Sequence, residues 1–227
     1  MCRLITVGSG SSGNTYLLQC GDETLVLDCG MKLLAVKKAL NFYIRGIVGA
    51  VCTHGHHDHD KYIPEYEAAG IPVWKPYSAE SLRQDTQMGG FKLSSFPVVH
   101  SVPTVGYLIG HERLGKMLYV SDTEYIRYRF KGLNTILCEM NYSDEYIDRN
   151  ASKFAHVKKG HMEKQTTLEF IKANMGIDLR HVVLCHLSAD GADPVEFKEA
   201  VREIVPSWVT VDVAVPNLVV DLGEIPF

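Results

Sequence analysis

His54-Gly55-His56-His57-Asp58-His59 is the stretch on which the reading of this chain turns. Side chains of an extended segment alternate with a period of two, so His54 and His56 point the same way. A turn after them swings Asp58 and His59 toward the same cavity from another direction. That arrangement suits two adjacent metal ions, the first held by His54 and His56, the second by Asp58 and His59. Neutral imidazole and carboxylate are ligands that zinc accepts in open, catalytic sites. The chain has 10 His and 13 Asp in 227 residues, and at those frequencies H-x-H-x-D-H arises by chance on the order of once in a thousand such chains. The alternative is a solvated, His-rich loop; loops are also where functional clusters are expected.

Outward from this stretch, the chain alternates between strand-like and helix-like runs. Residues 47–52 form an apolar strand that delivers the histidine loop. Before it, residues 3–7, 15–20 and 24–28 read as short strands, broken by Gly8-Ser9-Gly10-Ser11-Ser12-Gly13-Asn14 and by Gly21-Asp22. Residues 31–42 have helical spacing, with Leu33, Leu34, Val36, Ala39 and Leu40 apolar and three lysines outside. A helix over 62–69 and a strand over 71–74 follow. The second half reads similarly, with strands at 91–99, 105–109, 117–120, 135–138 and 181–185 and a helix over 162–174. Asp193-Pro194-Val195-Glu196 opens another helix as a capping box with proline in its first turn. Strands at 209–215 and 218–222 close the chain. Two β-rich halves with helices outside imply an α/β protein, one domain over 1–227 around one core.

Composition narrows the function classes. Hydrophobic residues make up 46%, enough for a sizeable core, and the net charge is −4. The chain is no polycation, so nucleic-acid binding must rest on a local patch. Six cysteines, Cys2, Cys20, Cys29, Cys52, Cys138 and Cys185, form no C-x-x-C pair and read as small buried hydrophobes of a reducing compartment. No signal peptide or membrane-length apolar run is visible. The expected location is cytoplasmic, with no membrane contact and no protein partner.

Four further positions end apolar runs, where a sheet presents groups to a cleft: His100, Asp122, Glu139 and His186. Each alone reads as a satisfied polar group at a strand end. Beside residues 54–59 they are the natural suppliers of the ligands that two metals still need. Asp122 has the carboxylate short enough to bridge two ions rigidly. His161, in Gly160-His161-Met162, stands at a helix start. Asp28 is expected to hydrogen-bond the loop or a ligand histidine, and His57 to point away. His111, His156 and His181 are expected at the surface. Arg127-Tyr128-Arg129-Phe130-Lys131, and Lys153, His156, Lys158 and Lys159, are basic stretches that suit phosphates and bases or are ordinary solvated charge.

Taken together, Val26-Leu27-Asp28-Cys29-Gly30, residues 53–59, His100, Ser121-Asp122-Thr123 and His186 resemble the metallo-β-lactamase superfamily, in its motif order and over nearly the whole chain. The resemblance implies a four-layer αββα sandwich with the metals at one edge. Within the superfamily, the 8–14 segment is similar to the YycJ (WalJ) type, exonuclease-like proteins related to RNase Z and RNase J. Glu139 in Cys138-Glu139-Met140-Asn141-Tyr142, Gly160-His161-Met162-Glu163 and Cys185-His186-Leu187-Ser188 resemble segments of that branch. Ser101 departs from it, where an aspartate is frequent.

The resemblance implies two divalent ions, zinc with manganese as the alternative. His54, His56 and His100 would hold the first, Asp58, His59 and His186 the second, and Asp122 both. Asp58, Glu139 and His161 form the implied catalytic group, with His161, oriented by Glu139, acting in acid–base chemistry. The implied substrate is DNA, RNA or another phosphodiester, attacked by a hydroxide bridging the metals. The 8–14 loop either offers backbone N–H groups to a phosphate or is a turn between strands. An acyl hydrolase, a lactonase or thiolester hydrolase, is the rival on the same fold. A non-catalytic metal-binding adaptor needs only four closed ligands, fewer than the seven candidates here.

Overall fold

Apolar runs cut by glycine turns pair into two sheets in the computed structural model, which describes residues 1–146 and 160–224. The first sheet contains β1 (Cys2–Gly8), β2 (Thr15–Cys20), β3 (Glu23–Leu27), β4 (Ile47–Val51), β5 (Val73–Trp74) and β13 (Val219–Gly223). Its order is β13-β1-β2-β3-β4-β5. The second contains β6 (Asp85–Met88), β7 (Phe91–Val98), β8 (Thr104–His111), β9 (Gly115–Val120), β10 (Thr135–Glu139), β11 (His181–Cys185) and β12 (Thr210–Val213) in the order β12-β11-β10-β9-β8-β7-β6. Consecutive strands joined by tight turns pair antiparallel, as with β2 and β3 across Gly21, whose φ of 61° favours glycine. Strands joined by longer connections pair parallel: β3 with β4, β9 with β10, β10 with β11, β11 with β12.

Three apolar layers separate the elements. Between the sheets, Leu4, Tyr16, Leu18 and Leu25 meet Phe91, Tyr107, Met117 and Tyr119. On the outer face of the first sheet, α1 (Leu33–Ala39) and α3 (Ile63–Ala68) bury Leu33, Val36, Ile63 and Tyr66 against Leu17, Val26 and Ala50. On the other side, α4 (Lys164–Asn174) and α5 (Pro194–Ile204) bury Leu168, Ile171, Phe197 and Val201 against Leu118, Ile136 and Leu184. Each such side chain contributes roughly 1.5–3 kcal/mol by leaving water. Strand β10 is buried at every residue because both its faces are covered. The arrangement is the expected four-layer αββα sandwich.

Several local expectations are corrected. The last strand leaves the second half and pairs antiparallel with β1 in the first sheet, placing Val220 and Leu222 between the sheets. Strand β6 has no apolar run to announce it; it is a polar edge strand hydrogen-bonded to β7 through a Gly89-Gly90 turn. The helix expected over 31–42 spans only Leu33–Ala39, since Asn41 and Phe42 adopt φ of 49° and 63°. Cys2 and Cys20, opposite one another in β1 and β2, are joined by a disulfide, whereas all six cysteines were expected to be free. Cys29, Cys52, Cys138 and Cys185 are free and buried. His111 is buried, not at the surface. The alternation of β8 puts it on the same inward face as Ile109, with its ring 4.7 Å from that of Phe91. His181 is half-buried, its Nδ1 2.8 Å from Thr210 Oγ1. His156 lies outside the described residues. Asp193 caps α5, accepting from the N–H groups of Val195 and Glu196, but the expected capping box is only half formed, since Glu196 Oε1 takes Lys164 Nζ at 3.2 Å and not the Asp193 N–H.

Candidate metal centre

Strands β1, β3, β4, β7, β9, β10 and β11 run so that the segments following them gather at one edge of the sandwich. Carboxyl ends of parallel strands are the usual ligand-binding edge of such sheets. Asp28 follows β3, the 53–59 loop follows β4, and His100, Asp122 and His186 follow β7, β9 and β11. Glu139 ends β10. Asp28, Asp122 and His186 take left-handed φ of 60°, 44° and 51°. Such conformations cost of order 1–3 kcal/mol each and cluster where function needs them.

Two groups of donors share Asp122. The first is His54, His56, His100 and Asp122. His54 Nε2 and His100 Nε2 stand 3.1 and 3.2 Å from His56 Nδ1, and 3.7 and 3.9 Å from Asp122 Oδ2. Donors held roughly 2.0–2.1 Å from a tetrahedral zinc stand about 3.3 Å apart, so this spacing fits one ion. The second group is Asp58, His59, Asp122 and His186. His59 Nε2 lies 3.1 Å from Asp122 Oδ1 and 3.4 Å from Asp58 Oδ2, which is also 3.4 Å from His186 Nε2. Thus one oxygen of Asp122 faces each group. Asp58 and His59 reach theirs because α2 (His57–Asp60) turns the chain immediately after His56, leaving His57 exposed.

A third group overlaps the second: Asp122, Glu139, His161 and His186. Glu139 is fully buried. Its Oε1 is 2.6 Å from His161 Nδ1 and 3.0 Å from His186 Nδ1. Its Oε2 accepts from the N–H groups of Thr123 and Met162, both at 3.1 Å. His161 precedes Glu163, the residue that caps α4, so it lies in the approach to that helix and not in its first turn. Its Nδ1 is also 3.9 Å from Asp122 Oδ2.

Outer contacts orient the imidazoles. His59 Nδ1 donates to Asp28 Oδ2 at 2.7 Å, and Asp28 also accepts from Thr53 N–H, Thr53 Oγ1 and Tyr119 OH. His100 Nδ1 donates to the Gly160 carbonyl at 2.7 Å. Both contacts turn Nε2 toward the centre, the usual carboxylate–histidine or carbonyl–histidine support of a metal ligand. Asp28 is therefore an outer residue, as its strand-end position suggested.

Charge is divided unevenly. Burial, with the charge of His59 nearby, lowers the His54 pKa well below the ordinary imidazole value, and burial lowers that of His100. For His59 and His186 burial also acts downward, but Asp122 and its neighbouring carboxylates outweigh it and hold both well above the ordinary value. Burial opposes ionisation of Asp122, yet His186 and His59 keep it well below the usual carboxylate range. His161 is raised: Glu139 outweighs burial.

All nine candidate residues therefore meet at this edge. The sequence reading missed Asn14, which is fully buried. Its Nδ2 is 2.9 Å from His59 Nε2 and 3.3 Å from Asp58 Oδ2, and its Oδ1 accepts from Gly10 N–H at 2.8 Å. The only sequence signal was its place at the end of a Gly/Ser run. The N–H groups of Gly10, Gly13 and Asn14 are spent on Asn14 Oδ1, Gly10 O and Asp58 O, so this loop braces the centre with them and does not present them to a phosphate. In the 127–131 stretch, Tyr128 and Phe130 pack on Phe96 at 5.4 and 4.9 Å, leaving the cations outside but no free rings. Lys153, Lys158 and Lys159 lie outside the described residues.

Comparison with known proteins agrees with this architecture. Residues 8–60 match the metallo-beta-lactamase superfamily. The exodeoxyribonuclease YycJ of Bacillus anthracis is 22% identical, with 81% of each chain covered. The metallo-beta-lactamase fold protein YhfI from Bacillus subtilis superposes with a TM-score of 0.72 at 16% identity, covering 96% of this chain and 98% of that one. The short form of human tRNase Z gives 0.62 at 14% identity, covering 97% and 99%.

Proposed function

We infer that this member of the metallo-β-lactamase superfamily, a metal-dependent hydrolase, is a dinuclear phosphodiesterase that cleaves nucleic acid. The observation that carries the reading is Asp122, whose two carboxylate oxygens face two separate donor groups beside a Glu139–His161 pair. His54, His56 and His100 would hold one divalent ion, Asp58, His59 and His186 the other, with Asp122 between. Such a pair, zinc by its histidine-rich donors with manganese as the alternative, lowers the pKa of water and offsets charge on a scissile phosphate.

The remaining chemistry belongs to the chain. His161 keeps its proton because Glu139 sits 2.6 Å from Nδ1. As water adds to phosphorus and the bond to the leaving oxygen breaks, His161 gives that oxygen its proton, and Glu139 fixes the ring by accepting from two backbone N–H groups as well. Among the relatives, the YycJ exodeoxyribonuclease and tRNase Z are named as enzymes of nucleic acid, and a similar structure is named as a diphosphatase of the PhnP family. Among the described residues no helix is long and apolar enough to cross a membrane. A cytoplasmic location belongs to this reading; the Cys2–Cys20 bond speaks against it, and a thiol count on freshly isolated protein decides.

The test is a substrate panel with elemental analysis. Zinc- or manganese-loaded protein should hydrolyse end-labelled DNA or RNA and a chromogenic phosphodiester far faster than a lactone or a β-lactam. The parent should hold two ions per chain and Asp122→Asn fewer. Faster lactone turnover would transfer the assignment to the acyl hydrolases, and one ion unaffected by Asp122→Asn would remove the bridge.

A further inference from the structure

A cavity of about 340 Å³ opens beside the second donor group, between the 8–14 loop and α1. Ser12, Lys32, Lys38 and Tyr62 line it together with Gly30, Met31, Leu34 and Ala35. Its inner wall is the wall of the metal centre. Gly30 packs so closely on the Asp58 backbone that a Cβ there would lie 1.8 Å from the Asp58 carbonyl oxygen. Ser12 belongs to the loop that carries Asn14, whose amide reaches Asp58 and His59. At most ~7 Å of chain separates Gly30 from Lys32.

The lining suits one class of ligand. Lys32 and Lys38 are exposed, and among the described residues no ion pair or hydrogen bond engages either ammonium. The Glu65 carboxylate of α3 is spent on the Leu33 N–H at 3.0 Å. Tyr62 adds an aromatic ring, with the Lys61 ammonium over it 5.4 Å from the ring centre. Cations beside an aromatic ring in a groove are the features that hold a single strand without reading its sequence. The volume is at the small end of ligand pockets, which run from roughly 300 to 1,000 Å³, and fits a nucleotide unit but no duplex.

Accordingly, we propose that this cavity is a nucleotide subsite, in which Lys32 and Lys38 hold the backbone phosphates of a single strand one or two nucleotides from the scissile phosphate. The inference rests on the phosphodiesterase reading and sharpens it: the substrate is a polynucleotide strand and not a small phosphodiester. It also places the track on the α1 side of the centre, away from the 127–131 stretch.

Two measurements on metal-loaded protein test it, for the parent, the double variant Lys32→Gln/Lys38→Gln and the double variant Arg127→Gln/Arg129→Gln. The first is binding of a cleavage-resistant phosphorothioate single strand by fluorescence anisotropy against salt. The second is the ratio of kcat/KM for a short single-stranded oligonucleotide to that for a chromogenic phosphodiester. Each lysine in contact with a strand steepens the plot of log affinity on log salt by about 0.7. The lysine variant should therefore bind with a slope shallower by about 1.4 and lose roughly tenfold of the oligonucleotide preference. A parental slope and ratio in that variant would overturn the subsite, as would losses confined to the arginine variant. If nothing is hydrolysed but the slope still falls in the lysine variant, the strand site stands and the phosphodiesterase reading fails.

Discussion

Glu139 shows at the scale of one residue how the centre is held. A carboxylate with no exposure is costly unless its oxygens are hydrogen-bonded, and here two backbone N–H groups and two imidazoles supply the donors. One consequence concerns His161. His161→Ala should retain both ions and lose about 10²–10⁴ in turnover, the usual contribution of a positioned acid or base. Metal content falling in parallel with rate would instead make His161 a ligand, exchanging roles with His186. A second consequence concerns loading. In the metal-free protein His59 and His186 are held protonated at neutrality, while His54 and His100 are held neutral. Filling the first group should release no proton from His54 or His100. Filling the second must displace those on His59 and His186, so its affinity should climb with pH by about tenfold per unit for each proton. The sign for stability is opposite. Raised folded pKa values stabilise the metal-free protein fully below about 6.5, the unfolded imidazole value, and that contribution disappears as pH rises through the folded values. Zinc calorimetry in two buffers of different ionisation enthalpy reads the protons. Equal release on both steps would refute this division.

Elements matter here chiefly by where they stop. Three strands end at residues in left-handed conformations, and α2 is a single turn that begins at His57. These stops, more than any strand interior, aim the donors. The segment after β3 is the tightest of them, since Gly30 fits against Asp58 only without a side chain. Gly30→Ala must push Asp58 and the start of α2 away, at a cost of about 1–3 kcal/mol or more for overpacking. Its expected signature is loss of the second ion together with a lowered Tm, while the first ion is retained. Thermal melts and elemental analysis check this together, and a variant with parental melting and two ions would show that the wall yields.

For the molecule as a whole, the sandwich is closed by its ends. Strand β13 returns to pair with β1, and Cys2 and Cys20 are joined across β1 and β2 at the edge away from the metal centre. The donors of one centre thus come from both sheets, Asp58 and His59 from the first and Asp122 and His186 from the second, so the centre exists only where the sheets are stacked. This accounts for the uneven exposure of the site: His59 and Asp122 are buried at the sandwich edge, while His56 and His161 are partly exposed.

Periodicity by itself carried two β-rich halves with helices outside, and strand-end chemistry singled out His100, Asp122, Glu139 and His186 beside residues 54–59; the four-layer sandwich and the roles of Glu139 and His161 came only with the resemblance to the metallo-β-lactamase superfamily. The covered interiors of β10 and β11, residues 136–138 and 182–185, must be apolar, and polar residues at their ends are conspicuous for that reason. What tertiary structure alone decided is of another kind. The return of β13 to the first sheet and the pairing of Cys2 with Cys20 depend on partners elsewhere in the chain, which no local pattern names. The same holds for Asn14, whose amide matters only because the 8–14 loop folds onto Asp58 and His59, 44 and 45 residues away. Local sequence sets which residues end a strand; which of those ends meet, and at what distance, is set by the stacking of two sheets.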